Sequence, residues 1–139
     1  MTAARADVLV GGASQTRGEA LVLRAPISFW GGVDPATGAV VDVRHPDHGL
    51  SIAGRVLFLP GTIGSSSASA VLLELVRNGH APAALVLHEP DAILLVGLIV
   101  AGEMGWQGPP ALRLDRSQHA AFEGRRLAIA PDGEISLVA

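Results

Sequence analysis

The stretch Gly61-Thr62-Ile63-Gly64-Ser65-Ser66-Ser67-Ala68-Ser69 joins an apolar strand to an amphipathic helix through glycines and hydroxyls. Upstream, Arg55-Val56-Leu57-Phe58-Leu59 reads as a buried strand closed by Pro60. Downstream, Ala68, Val71, Leu72, Leu75 and Val76 recur at helical spacing until Asn78-Gly79 ends the run. Gly61 and Gly64 admit backbone angles closed to other residues, and the serines arrive where the first helical N–H groups have no intrahelical partner. Such a turn attracts anions and favours an alkoxide over a hydroxyl. A plain serine N-cap is the alternative that the local pattern leaves open. The turn holds neither Gly-Lys-Ser/Thr nor Gly-x-Ser-x-Gly, so it is neither a P-loop nor a nucleophile elbow.

Beyond this helix, residues 83–87 form a continuous apolar strand of the kind buried on both faces in a parallel sheet. A second helix is expected over 91–104, opened by Pro90 and Asp91 and followed by Gly105. It is apolar nearly all round, so this chain or a partner must bury it on more than one side. A strand over 111–114 completes a strand, helix, strand, helix, strand unit, which calls for parallel strands, right-handed crossovers and an α/β fold. Ligands in such units bind at the carboxyl ends of the strands, where the serine turn sits.

Strands are also expected at 7–10, 20–24 and 39–43, with a polar, flexible segment at 11–18. Asp34-Pro35-Ala36-Thr37-Gly38 carries strong turn chemistry. The tail reads as a hairpin, 127–129 with 135–138, around Pro131-Asp132-Gly133. With the early strands it makes a second, mostly antiparallel layer.

A length of 139 residues and 49% hydrophobic content indicate one domain, spanning 1–139. Net charge is −3 and the ten basic residues, all arginine, are scattered, so no basic stripe points to nucleic acid. The absence of cysteine rules out a disulfide or a thiolate-held iron–sulfur cluster within the chain. The N-terminal residues lack a signal-peptide pattern, and the longest apolar run, 92–102, falls short of the ~20 residues that span a bilayer. A cytoplasmic protein with no membrane contact is expected.

Among other polar residues, Arg44-His45-Pro46-Asp47-His48-Gly49 places two histidines and an aspartate in one loop. Pro46 and Gly49 make it a turn, and no third ligand is signalled, so loop packing or a substrate-facing role is preferred to a metal site. His80, His88 and His119 stand at element ends and are expected to be exposed or loop-packing. Glu89 and Asp91 are read as helix-start acids that complement the dipole.

Several of these segments together resemble the small subunit of the aconitase X family. They are Ser28-Phe29-Trp30-Gly31-Gly32-Val33-Asp34-Pro35-Ala36-Thr37-Gly38, His45-Pro46-Asp47-His48-Gly49, Gly54-Arg55-Val56, Gly64-Ser65-Ser66-Ser67-Ala68-Ser69 and Gly79-His80-Ala81-Pro82-Ala83-Ala84. The resemblance implies a three-layer, swivelling β/β/α domain of a dehydratase (hydro-lyase) that works with a large catalytic subunit. Members of the family dehydrate cis-3-hydroxy-L-proline or mevalonate 5-phosphate, both small hydroxy acids, and the iron or iron–sulfur centre belongs to the large subunit. A chain without cysteine fits that division, with no cofactor or metal of its own. The corresponding domain of aconitase carries a Gly-Ser-Ser-Arg turn whose first serine is the catalytic base and whose arginine binds a substrate carboxylate. Laid on this sequence, the base falls on Ser65, with Gly64, Ser66 and Ser67 at the substrate. Ser67 stands where the arginine would be.

The main expectation is therefore a cis-3-hydroxy-L-proline dehydratase small subunit in a heterodimer, and the mevalonate 5-phosphate enzyme is the alternative. A phosphotransfer swivelling domain would need histidine at the helix start, where this chain has serine. A non-catalytic interaction or regulatory domain would tolerate replacement of Ser65. Phe29, Trp30 and the apolar helix mark the expected contact with the large subunit.

Overall fold

The computed structural model describes residues 2–12, 14–64 and 66–138. Four strands form the parallel centre: β3 (Thr16–Val22), β4 (Val56–Leu59), β5 (Ala84–Leu87) and β6 (Ala111–Arg113). Helix α2 (Ala68–Asn78) connects β4 to β5, and α3 (Ala92–Glu103) connects β5 to β6. The alternation of side chains across a strand explains why β4 and β5 are apolar throughout. Leu57, Leu59, Leu85 and Leu87 pack with Leu72, Leu75, Leu94 and Leu98 of the two helices. Val56, Phe58, Ala84 and Val86 face the opposite way, into a second core with Leu112, Leu127, Ile129 and Ile135.

That second core is closed by the antiparallel strands β1 (Thr2–Arg5), β7 (Arg126–Ile129) and β8 (Glu134–Leu137), whereas β2 (Asp7–Val10) pairs antiparallel with β6 and packs Leu9 and Val10 against the helix-side core. The eight strands follow the order β1-β8-β7-β3-β4-β5-β6-β2. β1 and β2 are therefore opposite edges of the sheet, yet only Ala6 separates them in the chain. The sheet must curl until its edges approach, which yields two β layers and one helical layer. At the seam the Ala6 amide donates to Gly133 O at 2.9 Å. Gly133 has φ +94°, and a Cβ there would lie 2.1 Å from Ala6 O, so no other residue fits.

The expected β/β/α architecture and parallel unit are present, with three differences in detail. Residues 39–43 are not a strand; only Val33 pairs with Val40 and Ala39 with Ser51, as isolated bridges. Asp42 ends any extended run, because its carboxylate accepts from Arg44 N and its carbonyl from His45 N, both at 3.0 Å. The segment read as flexible up to Gly18 is ordered from Thr16, where antiparallel pairing with β7 supplies the ladder. β1 carries no alternation of its own and owes its pairing to β8. The Asp34 turn forms as expected: Asp34 Oδ1 accepts from Ala36 N, Asp34 O accepts from Gly38 N, and Gly38 takes φ +81°. Phe29 begins a single irregular turn, α1 (Phe29–Gly32), and is buried, whereas Trp30 is 61% exposed.

Of the two expectations for His119, exposed or loop-packing, the second holds: it is buried between two short 3-10 turns. It lies edge-on to Phe58 with ring centroids 5.3 Å apart, and its Nε2 stands 2.9 Å from Leu114 O. A carbonyl can only accept, so Nε2 carries the proton. Burial holds the imidazole below its ordinary pKa.

Three outcomes follow from this packing. Gly133→Ala should lower unfolding free energy by on the order of 2–4 kcal/mol in denaturant titration, through a disfavoured φ and a steric overlap. Gly64→Ala, whose added Cβ meets nothing within 4 Å, should change it by less than about 0.5 kcal/mol. For His119 the folded pKa lies below the unfolded one, so the unfolded chain binds more protons in acid. The stability it contributes is complete above about pH 6.5 and is lost as pH falls below that value. Imidazole carbon shifts followed by NMR against pH should show His119 titrating below that value.

Candidate functional site

The serine turn leaves the carboxyl end of β4 and enters α2. Its entry is held by main-chain contacts. Thr62 forms a parallel bridge with Ile27, and Ile63 N donates to Ile27 O at 3.0 Å. The Thr62 hydroxyl donates to Asp91 Oδ2 at 2.7 Å. Asp91 is the N-cap of α3, with Oδ1 accepting from Ile93 N at 2.9 Å and from Leu94 N at 3.3 Å. One carboxylate thus caps one helix and ties down the turn that opens the other. Asp91 is a helix-start acid, as its sequence position suggests, with this second partner added. Sequence reasoning had no signal for the pairing, because Thr62 and Asp91 are 29 residues apart.

Ser65 lies outside the described residues. Gly64 and Ser66, on either side of it, are exposed. Neither Gly61 nor Gly64 has positive φ, so the expected need for glycine-only backbone angles does not apply to either. The missing Cβ at Gly64 leaves open space that no described part of the chain occupies. Ser67 sits at the N-cap of α2 with αR angles (φ −87°, ψ −5°), unlike the extended angles of a usual serine cap. Its carbonyl accepts from Val71 N at 3.2 Å. No acidic residue lies in the first turn of α2. The helix N-terminus favours an anion or an alkoxide at the turn, and the Asp91 carboxylate bonded to Thr62 opposes one.

The carboxyl ends of the neighbouring strands carry further polar groups. After β3, Arg24 donates from N and Nε to the two oxygens of buried Asp47, each at 2.9 Å. His45, also buried, accepts from Asp47 N through Nδ1 and donates from Nε2 to Ala25 O. Both ring nitrogens are thereby used to pack the 45–49 loop, whereas His48 is exposed. After β5, His88 Nδ1 accepts from Arg116 N at 2.9 Å. Among the described residues no three His, Cys, Asp or Glu side chains are grouped to hold a metal.

Two larger hollows are present among the described residues. One, about 740 Å³, is lined by Trp30, Val41, Leu73, Arg77, Met104 and Trp106. The other, about 550 Å³, lies near Gly12, Ala81, Glu103 and Pro109. The outer side of α3 presents Val96 and Ile99, each more than half exposed, while Leu94, Gly97, Leu98 and Ala101 are buried. The expected burial of α3 on more than one side is thus not met within the described residues. No helix among them is long and apolar enough to cross a membrane.

Comparison with known proteins bears on the family and the fold. The chain is 44% identical over 127 residues to cis-3-hydroxy-L-proline dehydratase of Pseudomonas aeruginosa, a match covering 90% of this chain but 21% of that protein. It is 37% identical to the phosphomevalonate dehydratase small subunit of Thermococcus gammatolerans, covering 96% of each. It is 48% identical over 86 residues to the corresponding subunit of Methanothermobacter thermautotrophicus, covering 62% of this chain and 66% of that one. The fold matches a chain of the crystal structure of Thermococcus kodakaraensis aconitase X (holo-form) with a TM-score of 0.83 and 33% identity over 97% of each chain. With the model of the aconitase X swivel domain matching residues 3–137, this chain belongs to the aconitase X swivel-domain family.

Proposed function

We propose that this chain is the small, swivelling subunit of an aconitase X-type hydro-lyase, that its substrate is cis-3-hydroxy-L-proline, and that Ser65 is the catalytic base. The observation that carries the substrate reading is the 44% identity to the Pseudomonas aeruginosa dehydratase across 90% of the chain. Phosphomevalonate is the second reading, supported by 37% identity to a small subunit of nearly equal length. Both compounds are hydroxy acids with an ionised carboxylate, and dehydration of either removes a proton from carbon.

In this chain the proton acceptor would be the alkoxide of Ser65, which precedes the N-cap of α2 by two residues in the sequence. It takes the proton from the carbon beside the carboxylate, and the C–H electron pair becomes the double bond as the hydroxyl leaves the adjacent carbon. A serine hydroxyl is a poor base unless its surroundings favour the anion, and the unpaired amides of a helix start supply such surroundings. The space over Gly64 gives a substrate room to approach. The residues of this chain do not fit an iron or iron–sulfur centre: it has no cysteine, and both nitrogens of His45 are occupied. We assign that centre to a large subunit. The exposed turn and the open face of α3 are the surfaces that subunit would cover.

The purified chain should neither bind stoichiometric iron nor dehydrate either compound, and assembly with the large subunit should restore turnover on one of them. Iron in the purified chain, or turnover without the partner, would refute the division of labour. In the assembled enzyme Ser65→Ala should lower kcat by about 10²–10⁴-fold, which is 3–5 kcal/mol of barrier. Ser66→Ala and Ser67→Ala should be milder. Loss of a helix cap alone would instead cost ~1 kcal/mol of stability and leave kcat intact. Trp30→Ala should weaken subunit affinity at least tenfold in titration calorimetry if the exposed indole is an interface anchor; unchanged affinity would place the interface elsewhere.

A further inference from the structure

Between the last residue of β4 and the first turn of α2 the chain makes a turn whose middle is exposed at Gly64 and Ser66. A catalytic group on such a segment works only if its ends are held rigidly. Both ends touch α3. Before the serines, Thr62 donates to Asp91 Oδ2, and the orientation of that carboxylate is locked by the two α3 amides on Oδ1. After the serines, Ser69 lies against Gly97 of α3 so closely that a Cβ on Gly97 would stand 3.1 Å from Ser69 O and 3.2 Å from Ser69 Cα. Gly97 has no positive φ, so the contact and not the backbone angle is what favours glycine there.

We infer that α3 is the positioning element of the serine turn, with Thr62, Asp91 and Gly97 as positioning residues that act through the turn and not on the substrate. The inference rests on the reading that this turn carries the base. Thr62 lies three residues before Ser65 and Ser69 four after it, so α3 clamps the turn on both sides at nearly equal distance along the chain. A hydroxyl donating to a carboxylate is among the stronger neutral-donor hydrogen bonds, and this one has no counterpart in the helix itself. Its loss frees the entry of the turn while leaving α2, α3 and the cap of α3 in place.

The test uses Thr62→Val, which keeps the shape and removes the donor, and Thr62→Ser, which restores it. In the assembled enzyme Thr62→Val should lower kcat about 10- to 100-fold, as a displacement of about 1 Å does, with KM within about twofold and an almost unchanged Tm. Thr62→Ser should return kcat to within about threefold of the parent. In the full chain by itself, amide hydrogen exchange at Ile63, whose N–H donates to Ile27 O, should quicken at least tenfold in Thr62→Val and not in Thr62→Ser. Unchanged kcat and exchange in Thr62→Val would overturn the inference, as would a kcat loss that Thr62→Ser does not rescue. If Ser65→Ala keeps its turnover while Thr62→Val still quickens exchange, the base assignment falls and the clamp on the turn stands.

Discussion

Burial of β4 and β5 on both faces is the constraint from which the rest of the structure follows. All eight of their residues are buried, and each large side chain so removed from water contributes about 1.5–3 kcal/mol before the entropy of ordering it is deducted. One face of a strand pair cannot be left to solvent when both are apolar. The chain therefore needs two covers, and it supplies α2 and α3 for one face and the antiparallel strands for the other. The seam between Ala6 and Gly133 is where the second cover closes.

The serine turn inherits its position from that arrangement. A parallel strand pair joined through a helix leaves its connections at the carboxyl edge, so the segment after β4 emerges beside those after β3 and β5. Contacts from both neighbours then hold it, Ile27 from one side and Asp91 from the other. Gly64 and Ser66 are free of the packing demands that govern the rest, which is the condition under which residues can be kept for chemistry.

The same logic separates the two histidine-bearing segments. The 45–49 loop resembles a ligand set in composition, yet its histidine and aspartate are consumed in holding Arg24 and the backbone at Ala25. Composition cannot reveal such a role, because a buried imidazole with both nitrogens satisfied and a free one have the same letter in a sequence. His119 shows the converse, an imidazole at an element boundary that packs as part of the second core beside Phe58 and Phe122.

By itself the sequence determined the elements whose signals are local. The apolar runs of β4 and β5, the helical period of α2, the Asp91 start of α3 and the Asp34 turn were all legible, because side-chain period and capping chemistry act over a few residues. The resemblance of whole motifs also carried the family and pointed to the turn at Ser65. Tertiary structure alone decided what depends on distant pairing. β1 and the first half of β3 exist because β8 and β7 lie beside them, and residues 39–43, expected as a strand, find no ladder to join. The Thr62 contact with Asp91 and the approach of Gly97 to Ser69 belong to the same class. Each joins residues 28 or 29 positions apart, and no local pattern encodes a contact that exists only once the sheet has curled and the two helices have packed.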